Sequence, residues 1–197
     1  MAKTQEQAVK IAAIETQRGT VKIVGDTSLI CNRFPPEQIE KIKNKGMRRS
    51  GQGKKTRDLE AEFHESYYKN GKNYLFPATG LKKAAVSACR FIDGAKMTEI
   101  RGAFHVLGDF ITLKGEEPIR REDIVPAGKR SNGSTVAIRS EFKNWSIEIP
   151  VRYNVNAISV EQLVNLFNVA GFGVGIGAWR PECNGSFGMF HVAKRGE

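Results

Sequence analysis

Trp145-Ser-Ile-Glu-Ile-Pro-Val-Arg-Tyr153, followed after a short break by Ser159-Val-Glu-Gln-Leu-Val-Asn-Leu-Phe-Asn-Val-Ala-Gly171, decides the fold of this 197-residue chain. In the first part Trp145, Ile147, Ile149, Val151 and Tyr153 alternate with polar residues in strict period two, which predicts a strand with one buried face. Pro150 lies inside that run and lacks a backbone donor, so an edge position or a bulge is expected there. In the second part Ser159 and Gln162 are spaced as a capping box. Leu163, Leu166, Phe167 and Ala170 then form an apolar stripe at helical spacing, and Gly171 is read as the stop. A half-buried strand followed by an amphipathic helix asks for a layer of helices on one face of a sheet.

Beyond this helix runs Gly171-Phe-Gly-Val-Gly-Ile-Gly-Ala-Trp-Arg-Pro-Glu-Cys-Asn-Gly-Ser-Phe-Gly188. Its glycines allow tight turns and close approach, and between them stand one indole, Trp179, and one guanidinium, Arg180. Backbone donors, a stacking surface and a fixed positive charge suit a nucleic-acid backbone with exposed bases. The bland alternative is a linker into the last strand, or a core position for Trp179. Phe172, Val174 and Ile176 alternate with the glycines as buried residues would. The order of elements is the reverse of the dinucleotide fingerprint, which needs a strand before and a helix after.

Working outward, Thr20-Val-Lys-Ile-Val24 reads as a strand that Ser28-Leu-Ile-Cys31 continues after a bulge or bend. A short helix follows from Pro36 to Lys43, opened by proline and early acids. Leu59 to Tyr68 reads as a helix, Asn70-Gly71 as a turn, and Tyr74-Leu-Phe76 as extended. Thr79 is expected to N-cap a helix over Gly80–Ile92. Ala103–Leu107 and Phe110–Leu113 flank Gly108-Asp109 as a tight hairpin. Residues 114–133 read as a polar excursion carrying a second basic surface, Arg120, Arg121, Lys129 and Arg130. Thr135–Arg139 is a further strand. These elements define an α+β fold in one domain over 1–197, a ferredoxin-like or modified RNA-recognition-motif antiparallel sheet with helices on one face. Residues 41–73 form a basic, partly mobile insertion within it.

Thirty-one Lys and Arg stand against 21 Asp and Glu, a net charge of +10. Such an excess favours anionic partners, nucleic acid first, then an acidic protein or an anionic membrane surface. It is concentrated between Lys41 and Arg57, where eight residues are basic and none acidic. With little to bury, that segment is expected to be mobile when free, as a solvated loop or an anion-binding one. Cys31, Cys89 and Cys183 are odd in number and scattered, which argues for a reducing compartment and a cytoplasmic location. No His or Cys spacing marks a metal site, no cofactor is implied, and no apolar run is long enough to span a membrane.

Tyr74-Leu-Phe-Pro-Ala-Thr-Gly-Leu-Lys-Lys-Ala-Ala-Val-Ser-Ala-Cys-Arg90 resembles the entry to the first helix in repeat-associated mysterious proteins, the RAMP superfamily. Those are RNA-binding backbone subunits of CRISPR effector complexes. Gly171–Phe190 resembles their C-terminal glycine-rich loop, matching its Phe-Gly ending at Phe187-Gly188, while Trp-Arg-Pro-Glu replaces the usual basic run. The chain as a whole also resembles uncharacterised bacteriophage and prophage proteins, which would place it in a bacterial host cell. The resemblance implies a modified RNA-recognition fold, single-stranded RNA as ligand, and head-to-tail assembly along it. By position it implicates Lys82, Lys83, Trp179 and Arg180, with the 41–57 segment (Lys43, Lys45, Arg48, Arg49, Lys54, Lys55 and Arg57) as a finger. Some relatives cut RNA with an acid after the first strand, where Asp26 stands here, although a lone turn aspartate is usually structural.

The expected function is therefore non-catalytic binding of single-stranded nucleic acid, RNA ahead of DNA. Lys and Arg would neutralise phosphates, and Trp179, with Tyr74, would stack on bases. The alternative is a phage anti-defence module, anti-CRISPR-like, that mimics a subunit of a host defence complex. An enzyme acting on nucleic acid ranks last, because no paired carboxylates, ligand cluster or activated nucleophile is legible.

Overall fold

The computed structural model describes residues 13–34, 40, 57–126, 133–194 and 196. Its frame is a seven-stranded antiparallel sheet ordered β10-β1-β9-β6-β4-β3, with β5 also paired to β9. The strands are β1 (Thr16–Gly25), β3 (Tyr68–Asn70), β4 (Asn73–Pro77), β5 (Phe104–Val106), β6 (Phe110–Lys114), β9 (Ser146–Asn154) and β10 (Phe190–Val192). A second sheet, ordered β2-β8-β7, is built from β2 (Leu29–Cys31), β7 (Ile119–Pro126) and β8 (Ser134–Phe142). Four α-helices lie among the described residues: α1 (Leu59–Glu65), α2 (Ala78–Ser87), α3 (Met97–Ala103) and α4 (Val160–Gly173).

Reduced to β1, α2, β5–β6, β9, α4 and β10, the chain runs β-α-β-β-α-β, and its strands lie in the spatial order fourth, first, third, second. That is the ferredoxin-like arrangement expected from the sequence. Everything else is added to it: β2, α1, β3 and β4 between the first strand and first helix, and the β7–β8 ribbon between the second and third strands.

The strand read most clearly becomes the centre. β9 pairs with β1 from Thr16↔Asn154 to Val24↔Ser146, and on its other side with β5 and β6. Ile147, Ile149, Val151 and Tyr153 are buried under α2 and α4 in one core that also receives Leu29, Ile138 and Phe142 from the second sheet. Pro150 is neither at an edge nor in a bulge of its own strand. Its carbonyl accepts from Leu107 N (2.8 Å), so its missing donor faces the side where β5 leaves β9 and β6 rejoins it three residues out of register. The bulge sits in the neighbouring strand.

Other local expectations are corrected by that pairing. β5 and β6 are not the arms of a hairpin: both run antiparallel to β9, as one interrupted strand. Gly108, at φ 87°, serves the interruption. β1 and β2 do not continue each other but belong to different sheets. The excursion over 114–133 contains β7, paired along its whole length with β8 from Ile119↔Glu141 to Pro126↔Ser134. Both faces of that ribbon carry charge, which hid its period.

Among the helices, α1 stops at Glu65, with Asp58 accepting from the Glu60 and Ala61 amides as its cap. Pro77, in extended conformation, occupies the cap position of α2, so Thr79 lies inside the first turn. The helix gives way to a 3-10 turn at Ala88–Phe91. In α4 the Ser159–Gln162 capping box forms as read, but the helix runs through Gly171 to Gly173. Gly171 is required for proximity: a Cβ there would strike the Phe190 carbonyl of β10. Of the expected helix at 36–43 only Glu40, which is helical, is described, and of the basic segment only Arg57; the rest of both lies outside the described residues.

Candidate nucleic-acid interface

After α4 the chain is pinned at both ends. Ile176 N donates to Gly188 O (2.9 Å), and Ala178 N donates to Ile30 O (2.8 Å) as an isolated bridge onto β2. Between these points Phe187 N reaches Trp179 O (3.0 Å), and Gly185 N and Cys183 N reach Arg180 O (3.1 and 2.8 Å). A Cβ at Gly185 would collide with the Trp179 carbonyl, so glycine lets the loop close on itself. Trp179 is held at φ 56°, a left-handed conformation uncommon for any residue with a side chain and an outlier for a bulky one. Its ring is not core: the residue is 41% exposed.

One side of that ring is occupied. The Arg139 guanidinium lies 5.3 Å from its centroid, and Arg121 lies 4.8 Å from Phe187 of the same loop. Arg121 and Arg139 are cross-strand partners on β7 and β8. Asp123 joins them, accepting from Arg121 Nε (2.9 Å) and Arg139 Nη1 (2.7 Å), while Arg121 also reaches Glu141 (3.3 Å). Burial works to raise the Asp123 pKa, but its bonds to Arg139 and Arg121 outweigh it and hold the carboxyl below its usual range. The ribbon thus presents two arginines over which the loop lays two rings, a cation–π dock for each. Sequence reasoning missed Arg139 and Asp123 because only the β7–β8 register brings them together.

The expected basic residues separate into groups. Arg180 is engaged within its own loop, donating to Glu182 (2.7 and 3.1 Å) and to Gly177 O (3.1 Å). Arg90 also reaches Glu182 (3.0 Å). The hydrogen bonds from Arg180, with the charges of Arg180, Arg90 and Lys83, hold the Glu182 carboxyl below its ordinary range. Lys83 and Arg180 are therefore brought to one acidic centre. Lys82 faces elsewhere, 3.1 Å from His105 Nδ1 and 5.9 Å from the Phe104 ring. Arg57 pairs with Glu62 and donates to Val136 O (2.9 Å), bracing α1 on β8. Lys43, Lys45, Arg48, Arg49, Lys54 and Lys55 lie outside the described residues. Tyr74 packs against Tyr67 and Phe142 and is half-buried.

Asp26 is not alone. Its carboxylate lies 2.6 Å from His191 Nδ1, at a cleft of about 1070 Å³ that Asn168 and Lys194 also line. The pair escaped sequence reading because β1 and β10 bring together residues 165 positions apart. No group of three or more His, Cys, Asp or Glu side chains is gathered as for a metal among the described residues. No described helix is long and apolar enough to cross a membrane.

No family model matches this chain, and no curated protein matches it in sequence. Solved structures do. A chain in the cryo-EM structure of the Type III-B Cmr-beta bound to cognate target RNA superposes with a TM-score of 0.51 at 12% identity, over 89% of this chain and 59% of that one. This chain thus spans about three-fifths of that neighbour's length. Cmr6 from Pyrococcus furiosus gives 0.46 at 11% identity, over 92% of this chain and 100% of that one. By its topology the class is an α+β, ferredoxin-like fold. Within it, the solved likeness is to a chain of a Type III-B Cmr structure, which agrees at the level of fold with the RAMP resemblance carried by the motifs.

Proposed function

We propose that this protein binds single-stranded nucleic acid, RNA ahead of DNA, on the open side of Trp179, and does not cut it. The observation that carries the reading is Trp179 itself: a bulky residue held left-handed, exposed, and backed by an arginine. Backbone strain at a surface aromatic is costly, and it persists where a presented side chain has work to do. An exposed indole is the sequence-tolerant stacking platform that single strands use. A shared fold with a chain of an RNA-bound Cmr-beta structure ranks RNA ahead of DNA.

The test compares a labelled oligouridylate with its deoxy counterpart on the full chain and on Trp179→Ala. Loss of affinity without loss of folding is the expected result; normal affinity in the folded variant removes Trp179 from the site. Cleavage of the RNA that disappears in His191→Ala would overturn the non-catalytic half and assign the Asp26–His191 pair to acid–base chemistry.

A further inference from the structure

The face of the large sheet opposite α2 and α4 carries the even-numbered residues of β1 and β9, and Thr20, Glu148 and Arg152 on it are exposed. Near its β6 side the charges are matched, with Lys114 2.7 Å from Glu148. Further along β9 they are not. Arg18 of β1 stands opposite Arg152 of β9, and Arg152 stands opposite His105 of β5. Beside His105 lies Lys82 Nζ, 3.1 Å from Nδ1. Lysine has only donors, so Nδ1 accepts and a neutral His105 carries its proton on Nε2, as a further donor. Arg101, at the end of α3, is close enough for its charge to lower the Lys82 pKa after the larger effect of burial.

Like charges set directly opposite each other on a sheet are destabilising. Arg120, Arg121, Arg139 and Arg180 all have acidic partners, yet no acid stands in this row. Strand spacing makes the row roughly 10 Å across its three strands. The same face offers flat surface: Phe110, 46% exposed, packs on Tyr68 with ring centroids 4.9 Å apart, and the Arg33 guanidinium lies 4.8 Å over Tyr68. An acidic peptide would call for the cations alone, whereas phosphates joined to bases call for cations and rings together.

We infer that Arg18, Arg152, His105 and Lys82 form a second site, which holds the phosphates of a single-stranded nucleic acid across the open sheet face. It lies apart from the Trp179 loop. The loop is tied to the Gly25 end of β1, through Gly188 N to Ser28 O and Asp26 N to Met189 O. Arg18 is seven residues back, roughly 23 Å along an extended strand. The inference rests on the proposed ligand class but not on the loop.

The experiment measures binding of a labelled oligouridylate to the full chain, to Arg18→Gln/Arg152→Gln, to Arg18→Lys/Arg152→Lys and to Trp179→Ala, over a range of salt, with melting followed in parallel. The glutamine pair should weaken binding at least tenfold at low salt and flatten the log–log salt slope by about 0.7 for each arginine. Its melting temperature should hold or rise, because a repulsion is removed; the lysine pair should keep the slope. Unchanged affinity and slope in the glutamine pair, with loss in Trp179→Ala, sinks the second site and leaves the loop. The reverse pattern keeps the second site and removes the loop. An intact chain that ignores oligouridylate but binds poly-glutamate, with loss in the glutamine pair, overturns both and assigns the row to an acidic protein.

Discussion

Trp145 and Trp179 do opposite work. Trp145 is 1% exposed, donates from Nε1 to Thr27 O (2.8 Å), and packs edge-on against Phe190. Trp145→Ala should cost about 3–5 kcal/mol of stability by emptying the core between β1 and β10. Trp179→Ala removes a partly exposed ring whose contact is with Arg139, and relieves a left-handed residue of none of its strain. Its melting should change little while affinity for an oligouridylate falls by about 1–3 kcal/mol. A denaturation series with binding on the same samples separates the two; a Trp179→Ala that melts like Trp145→Ala contradicts the stacking role. The cysteines offer a second residue-scale check. Burial pushes the Cys31 thiol up to about 12 and raises Cys89, whereas Cys183 is exposed. A maleimide at neutral pH should label Cys183 first, and prompt labelling of Cys31 would mean that β2 opens.

At the scale of elements, the dock between the glycine loop and the β7–β8 ribbon depends on Asp123. Its depressed folded pKa means that its stabilisation is complete above the unfolded value near 3.8 and is lost as pH falls through the lower, folded value. Acid should therefore undock the loop, read as a change in Trp179 fluorescence in a Trp145→Phe background; the same titration in Asp123→Asn should show a smaller change, that of Glu182 alone. Asp123→Ala should cost about 1–3 kcal/mol, since it leaves the partly buried Arg139 and Arg121 without the carboxylate that accepts from both. Glu182 ties up Arg180 and Arg90. Glu182→Gln should release them, tighten oligouridylate binding and steepen the salt slope by about 0.7 for each cation that finds a phosphate. An unchanged slope would show that Arg180 only braces its loop.

For the molecule as a whole, a ligand of the folded state should raise stability. An oligouridylate at a hundred times its Kd should add about 2.7 kcal/mol, seen as a higher melting temperature that high salt abolishes. The net +10 already pointed to such an anion. The buried face of β9, the capping box of α4, the Asn70-Gly71 turn and the α+β class were legible from sequence because each is written in residues a few positions apart. Period, cap and turn are local physics. What β9 pairs with is not local. The interruption between β5 and β6, the polar β7 and the split of β1 from β2 depend on hydrogen bonds to strands far along the chain, and no periodicity reports a partner. The candidate sites follow the same division. Trp179 and Arg180 were visible as an aromatic and a cation among glycines. Arg139 behind that ring, Asp123 between two arginines, His191 on Asp26, and Arg18 opposite Arg152 exist only once cross-strand register sets them side by side. Sequence determines which side chains are available and which face of each element they occupy; register, a property of distant segments packed around one core, decides which of them meet.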